Sequence, residues 1–553
     1  MCAYSSVQGR SGCANDRAMQ TVLRDTWGHS GFVVSDCGAV GGGPAGAVQS
    51  IEAGTDLECN PWGQSLYPSL VNSTLAGNIS EAVITRAAMR LLYVRFRLGN
   101  WDPPDSVPFA DKAAYGANAD MSLYEQVSLE AAQQSIVLLK NDGILPLAQP
   151  GPYKTIAALG ILDCMSSGYD TAGDANANKT FVSTALAAAF PGSVVQTGTG
   201  CGCPLSQPDC EQCPGCNWAP AGLIATCSYY NSTNTTLGAR GADLVVLHLG
   251  FGGRPGENTD LGSEQKELEL YSNQTQLLDA ALATGAPIIL VLFTALPCNI
   301  TGIIQNPQIR AVVQAGYPQH HGGTAIVDVL TGKVNPAGRL VVTWPKAYNA
   351  SLHGDIGDYR MLNTSKTYRF SFPDPLFPFG FGMSYTSWSY SALSVSPSPI
   401  APCANVTVAV TVTNTGAVDG SEVVQLYARW RNVVGGDAPV PDLTLVDFAR
   451  VRVAAGGSAV VSLVVDPRHY SVLQAQPPGP PSPSEPNGTW VPPAWTMKPA
   501  TLELFVGGQQ PFATPRLPSN VLSANVSLAG DGSPASRCPR YFPHDHRGKT
   551  IHA

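Results

Sequence analysis

The chain has 553 residues, 44% of them hydrophobic and 13% charged, with a formal net charge of −8. At about 150 residues per domain this length implies three or four domains, and the apolar content excludes a disordered chain. No basic run or basic–aromatic patch of the kind that binds nucleic acid is present. The apolar runs break within about ten residues, short of the about 20 that a membrane span needs.

Near the start, Asp16 to Trp27 carries Ala18, Met19, Val22 and Leu23 at helical spacing. Gly31-Phe32-Val33-Val34-Ser35-Asp36-Cys37 follows, a short β-rich run that ends in a carboxylate. Helix, turn, buried strand and an acid at the strand's C-terminal end is the pattern of a (β/α) barrel, whose catalytic side chains sit at that end. Asp36 is therefore a candidate catalytic carboxylate; the plainer alternative is a cap on the next turn. Ile84 to Leu98 reads as the last barrel helix, with Ile84, Ala87, Ala88, Leu91, Leu92 and Val94 on one broad apolar face. Gly99 stops it, and Trp101-Asp102-Pro103-Pro104 begins a linker, so residues 1–104 read as the C-terminal portion of a barrel.

Residues 123–350 alternate buried-strand candidates (155–159, 244–249, 287–293) with helical stretches such as Gln265 to Ala283. That alternation predicts an α/β sandwich with a mainly parallel sheet covered on both faces. Residues 351–395 form a linker containing Pro378-Phe379-Gly380-Phe381-Gly382. Residues 396–510 are all-β: Val406, Val408, Val410 and Val412 alternate with polar or small residues, and 423–427, 459–465 and 502–506 are further strands of an immunoglobulin-like sandwich. A Pro-rich insertion, Pro477 to Pro493, reads as an extended surface loop, and 511–553 as a tail. The predicted fold class is multidomain α/β plus β.

Fourteen cysteines and about a dozen Asn-x-Ser/Thr sites, among them Asn72, Asn78, Asn231, Asn273, Asn363, Asn405 and Asn525, point to the secretory route. The expected location of the full-length protein is extracellular or secretory, although this chain shows no signal peptide.

Met1-Cys2-Ala3-Tyr4-Ser5-Ser6-Val7, Leu23-Arg24-Asp25-Thr26-Trp27-Gly28, Val33-Val34-Ser35-Asp36 and Ala53-Gly54-Thr55-Asp56-Leu57-Glu58 follow one another in an order and spacing that resemble the family-3 glycoside hydrolases. The Ser-Asp-Cys variant is most similar to the plant-type β-xylosidase and α-L-arabinofuranosidase branch. Gly316-Tyr317-Pro318, Gly322-Gly323, Asn335-Pro336-Ala337-Gly338-Arg339-Leu340 and the Pro-Phe-Gly-Phe-Gly stretch resemble the same family's second domain, and the sandwich its fibronectin type III-like domain. The resemblance implies that Asp36 is the nucleophile and that Met1 and Tyr4 line the subsite of the sugar being cleaved; from the residues alone, both could be plain barrel packing. It also sets Met1 at an internal methionine of the family, so the chain is expected to be the C-terminal part of a longer, N-terminally truncated protein.

Retaining glycosidases use two carboxylates about 5–5.5 Å apart, one attacking the anomeric carbon and the other protonating the leaving oxygen. The resemblance implies that the second comes from a loop of the second domain. Gly250 to Asp260 is that loop, and Glu257-Asn258-Thr259-Asp260 matches the family's Glu-x-x-Asp-Arg except that Leu261 replaces the arginine. Glu257 is the candidate acid/base and Glu264 the fallback; otherwise Glu257 is an ordinary exposed acid. With both roles filled by carboxylates, no metal or organic cofactor is expected. Cys201, Cys203, Cys210, Cys213 and Cys216 could bind zinc, but without paired histidines they read as disulfides of a surface insertion. Cys2, Cys13, Cys37 and Cys59 flank the candidate site and are expected to pair and hold its loops, with connectivity left open. His320-His321 is read as a loop pair and His544-Asp545-His546 as surface tail.

The expected function is a retaining exo-glycosidase that releases xylose or arabinose from the non-reducing ends of hemicellulose-derived chains. Its partner is an oligosaccharide or glycoside substrate, with no nucleic acid and no membrane. The alternatives are a β-glucosidase of the same family and a non-catalytic carbohydrate-binding or vestigial protein.

Overall fold

The structure is a computed structural model. It describes residues 1–553 apart from 8, 61–62, 109, 111–120, 161–179, 199–237, 251–267, 269, 271, 295–296, 317, 319–320, 348–365, 371–373, 433–439, 475–493, 513, 531–536 and 539–553. The chain forms two compact units, residues 1–121 and 122–553.

In the first unit three extended segments lie side by side in parallel, through bridges Cys2↔Ser35 and Val34↔Leu57. The first is followed by a hairpin, β1 (Ser6–Val7) and β2 (Arg10–Ser11). The predicted helix is present as a π-helix, Arg17–Thr26, whose buried residues are Met19 and Arg24. Helix α1 (Gly43–Ala53) takes Pro44 in its first turn and stops at Gly54, whose φ of 112° is open to glycine. Helices α2 (Leu70–Leu75) and α3 (Glu81–Arg97) follow. Glu81 at the start of α3 and Arg95 and Arg97 at its end complement the helix dipole. The broad apolar face expected on this last helix is split. Val83, Ile84 and Ala87 pack with Ala47, Ile51 and Leu70 of α1 and α2, whereas Met89, Leu92, Tyr93 and Phe96 are exposed.

The second unit opens with α4 (Met121–Ser135) and a six-stranded sheet. Its strands are β3 (Val137–Asn141), β4 (Thr155–Gly160), β5 (Val194–Gly198), β6 (Leu244–Gly250), β7 (Ile288–Phe293) and β8 (Ile309–Gln314), in the spatial order β3-β8-β7-β6-β4-β5. All neighbours are parallel except the antiparallel edge pair β3–β8. Strands β4, β6 and β7 are buried on both faces, hence their near-continuous apolar runs. On one face Leu247, Leu249, Leu290 and Leu292 meet Leu277, Leu278 and Ala281 of α6 (Ser272–Leu282) and Ile300, which precedes α7 (Thr301–Gln305). On the other, Val246, Ile289, Val291 and Val313 meet Val182 and Leu186 of α5 (Val182–Ala189) and Ala325, Ile326 and Val329 of α8 (Gly322–Leu330). Within the stretch Gln265 to Ala283 the described helix is Ser272–Leu282, and Leu268 ahead of it has a φ of 60°, outside the α-helical range.

The sandwich pairs β9 (Trp388–Ser396), β10 (Val406–Asn414) and β13 (Ser458–Val465) in one sheet. The other holds β11 (Gly420–Arg431), β12 (Thr444–Val453), β16 (Ala500–Gly507) and β17 (Leu522–Leu528), ordered β12-β11-β16-β17. A small third sheet joins β14 (Val472–Gln474), β15 (Ala494–Thr496) and β18 (Arg537–Cys538). Paired strands therefore continue past residue 510, into the stretch expected to be tail. The Pro-rich insertion lies outside the described residues.

Two stretches read as family motifs form the junction between sheet domain and sandwich. Arg339 pairs with Glu422 at 3.2 Å, their side chains 8% and 1% exposed. Asn335 Nδ2 donates to Asp419 O (3.0 Å), Gln425 Nε2 to Gly380 O (3.0 Å) and Gln510 Nε2 to Phe379 O (2.8 Å), and Tyr368 stacks on Phe379. Burial raises the Glu422 carboxyl pKa, with Arg339 opposing the shift.

Candidate active site

Asp36 directly follows the middle one of the three parallel segments, at its C-terminal end. Backbone hydrogen bonds fix it there: Cys2 N to Val34 O (2.9 Å), Asp36 N to Cys2 O (3.0 Å) and Ser35 N to Leu57 O (2.8 Å). Ser35 Oγ accepts from Cys59 N (2.9 Å), and Gly38 N donates to Cys59 O (2.8 Å). The Asp36 side chain is half-buried, and its Oδ1 accepts from Cys37 N at 2.8 Å.

The cysteines around it form two disulfides, Cys2–Cys13 and Cys37–Cys59. The second joins the residue after Asp36 to the end of the neighbouring segment. Tyr4 is brought to the same rim, where its hydroxyl donates to Cys37 O. Tyr4 is 55% exposed and Met1 80%, so neither packs into a core. Glu58, another acid near these segment ends, is committed to its own loop: it accepts from Ser65 Oγ (2.6 Å), Leu66 N (2.8 Å) and Tyr67 N (2.7 Å).

Beneath the site lies a buried ionic cluster that the sequence reading missed. Asp56 Oδ2 accepts from Arg24 Nη2 (2.7 Å) and Val33 N (2.9 Å), and Oδ1 from Arg90 Nη1 (3.0 Å). Arg24 also donates to Gly31 O (2.9 Å) and Gly54 O (3.1 Å). Burial lowers the Arg24 pKa, with Asp56 acting against that shift. This cluster anchors the start of the segment that ends at Asp36. A signal existed: an aspartate in an apolar barrel run needs a cationic partner, and Arg24 and Arg90 lie on the flanking helices.

In the second unit, β6 ends at Gly250, and the loop bearing Glu257 and Glu264 lies outside the described residues. The loop's point of departure is well defined. Buried Gln274 clamps Gly250 from both sides, accepting from its N–H (2.8 Å) and donating to its carbonyl (2.7 Å). Gly250 has a φ of 146°, and a Cβ there would stand 2.0 Å from Phe293 O, so only glycine fits. The Cys201–Cys216 cluster, His320 and His544 to His546 also lie outside the described residues. His321 pairs with Glu125 of α4 at 2.5 Å. A groove of about 680 Å³ along α3, lined by Met89, Tyr93, Arg86 and Arg90 among others, lies apart from Asp36 and Tyr4.

Three family models match the chain. Residues 1–94 match the glycosyl hydrolase family 3 N-terminal domain, 136–385 the family 3 C-terminal domain, and 422–510 the fibronectin type III-like domain. The chain belongs to glycosyl hydrolase family 3. It is 30% identical over 397 residues to a probable exo-1,4-beta-xylosidase, bxlB, of Aspergillus terreus, an alignment covering 69% of this chain and 47% of the relative. It is 28% identical over 527 residues to the probable beta-D-xylosidase 6 of Arabidopsis thaliana, covering 84% and 61%. This family 3 chain thus spans about half the length of the curated relatives it matches. Its fold is similar to that of a β-glucosidase, EmGH1, from Erythrobacter marinus (TM-score 0.71, 24% identity, 95% of this chain and 67% of the other). It is also similar to a GH3 exo-β-xylosidase, XlnD, solved with a xylobiose aziridine probe (TM-score 0.67, 22% identity, 96% and 65%). No described helix is long and apolar enough to cross a membrane.

Proposed function

We propose that this chain carries the two catalytic carboxylates of a secreted, retaining exo-glycosidase that releases xylose or arabinose units from the non-reducing ends of hemicellulose-derived chains. The observation that carries the reading is Asp36. It is the acid at the C-terminal end of a parallel segment, held by backbone hydrogen bonds and flanked by the Cys37–Cys59 disulfide and Tyr4. That is where barrel enzymes keep their chemistry. The relatives named as xylosidases favour a pentose over glucose.

In this mechanism the Asp36 carboxylate attacks the anomeric carbon as Glu257 protonates the departing glycosidic oxygen, leaving a glycosyl ester on Asp36. Glu257, now a carboxylate, takes a proton from water, which attacks the same carbon and returns Asp36 to its ionised form with net retention. Tyr4 and Met1 border the sugar being transferred.

The test is to incubate the whole protein with a 2-fluoro-xyloside carrying an activated leaving group, then map the labelled peptide. A covalent sugar on Asp36, lost in Asp36→Asn, is expected. Label on another carboxylate, or unchanged label in Asp36→Asn, overturns the nucleophile assignment. An unlabelled chain that still binds xylo-oligosaccharide favours the carbohydrate-binding reading.

A further inference from the structure

The sequence contains twelve Asn-x-Ser/Thr sequons. Five of them have described asparagine side chains, and these five differ sharply in setting. Asn72 lies in α2, Asn78 in the turn before α3, Asn405 immediately before β10, and Asn525 in the middle of β17; all four side chains are exposed. Asn525 belongs to the solvent-facing set of β17, with Ser523 and Ser527, while Val526 and Leu528 point into the core. β17 is also an end strand of its four-stranded sheet.

Asn299 is the exception. Its sequon, Asn299-Ile300-Thr301, is complete, but its backbone N–H donates to Leu268 O (2.7 Å) and its Oδ1 accepts from Thr301 N (3.2 Å) at the start of α7. The side chain is half-buried in the wall of a groove of about 300 Å³, among Leu278, Ile303 and Ile309, and Ile300 beside it is 1% exposed. A sugar on this amide would have to occupy the space between α6 and α7 and would disturb the α7 start.

We propose that Asn72, Asn78, Asn405 and Asn525 are N-glycosylation sites and that Asn299 is not. In the reaction the carboxamide Nδ2 attacks the anomeric carbon of an oligosaccharide carried on a lipid pyrophosphate. The C–N bond forms, the C–O bond to the pyrophosphate breaks, the lipid pyrophosphate leaves with the electron pair, and the amide gives up one proton. On β17 the glycan has a physical consequence: Ile400 already pairs with the outer edge at Ser527 and Ala529, and a sugar on Asn525 would shield the neighbouring part of this end strand from association with another chain. The proposal rests on the secretory part of the reading above and is independent of the glycosidase chemistry.

The experiment is glycopeptide mapping of the protein isolated from its source. Peptide-N-glycosidase digestion in heavy-oxygen water converts each occupied Asn to a labelled Asp. Label at Asn72, Asn78, Asn405 and Asn525, with an unmodified Asn299 peptide, is expected, and Ser527→Ala should lower the mass by one glycan. Occupancy at Asn299 overturns the burial argument. Label confined to other sequons overturns the site assignment but leaves the secretory reading standing. A chain unlabelled everywhere removes both, while labelling of Asp36 by the fluoro-sugar still judges the glycosidase reading separately.

Discussion

His248 gives the sharpest stability prediction. It sits in β6, the centre of the six-stranded sheet, fully buried, with Phe293 of β7 5.4 Å from its ring and no well-formed hydrogen-bond partner for either ring nitrogen among the described residues. Burial lowers its pKa to about 3, and the backbone at Val246 and Leu159 offsets only part of that shift. In the unfolded chain a histidine titrates near 6.5. Above that pH both states are neutral at this site and stability is independent of pH. Below it the unfolded chain takes up a proton that the folded chain refuses until about pH 3, so stability falls as pH falls. The loss is about 2 kcal/mol between pH 7.5 and 5.0 and about 4 kcal/mol by pH 3. His248→Leu keeps roughly the volume and removes the titration. Urea unfolding of both proteins at pH 7.5 and 5.0 reads the difference: the wild type should lose about 2 kcal/mol more than the variant on acidification. Equal losses in both would refute the argument, because they would mean that the folded protein admits the proton at His248.

Two further predictions concern the buried ion pairs. Arg24→Met leaves Asp56 with Arg90 as its ion-pair partner among the described residues; it should destabilise the first unit by up to about 3 kcal/mol, with part of the loss recovered in Arg24→Met/Asp56→Asn. Thermal melts and amide exchange at Val33 measure this, and an unchanged melt would show that the cluster anchors nothing. Arg339→Met strands Glu422 in the junction of the second unit and should cost about 3–5 kcal/mol, whereas Arg339→Met/Glu422→Gln should recover much of it. Limited proteolysis between the sheet domain and the sandwich reports the outcome, and equal susceptibility of single and double variants would contradict it.

What could be read in the sequence was whatever local chemistry determines. The apolar runs of β4, β6 and β7 are long because both their faces are covered, and the valines of β10 alternate because one face is. Asp36 stood out for the same reason, as a charge ending an apolar run. The features that escaped depend on contacts distant in sequence. β5 has only Val194 and Val195 as apolar residues, with Val194 exposed, and exists because β4 offers it a backbone partner, whereas β17 alternates Leu522, Ala524, Val526 and Leu528 with polar residues and was legible in the sequence as a half-buried strand. Of Arg24, Asp56 and Arg90 only Asp56 carried a local hint, as an acid in a barrel segment; its two cationic partners are fixed by the fold. The Asn335–Leu340 and Pro378–Gly382 stretches announced themselves as family motifs, but their chemistry is structural: backbone carbonyls and one arginine that meet the sandwich at Glu422, Gln425 and Gln510. A recurring motif therefore separates into two kinds here. One presents a half-exposed acid at a strand end; the other spends its polar groups on a neighbouring domain. Only the hydrogen-bond partners distinguish them, and for Asp36 they leave the carboxylate at an accessible rim rather than locked in a junction.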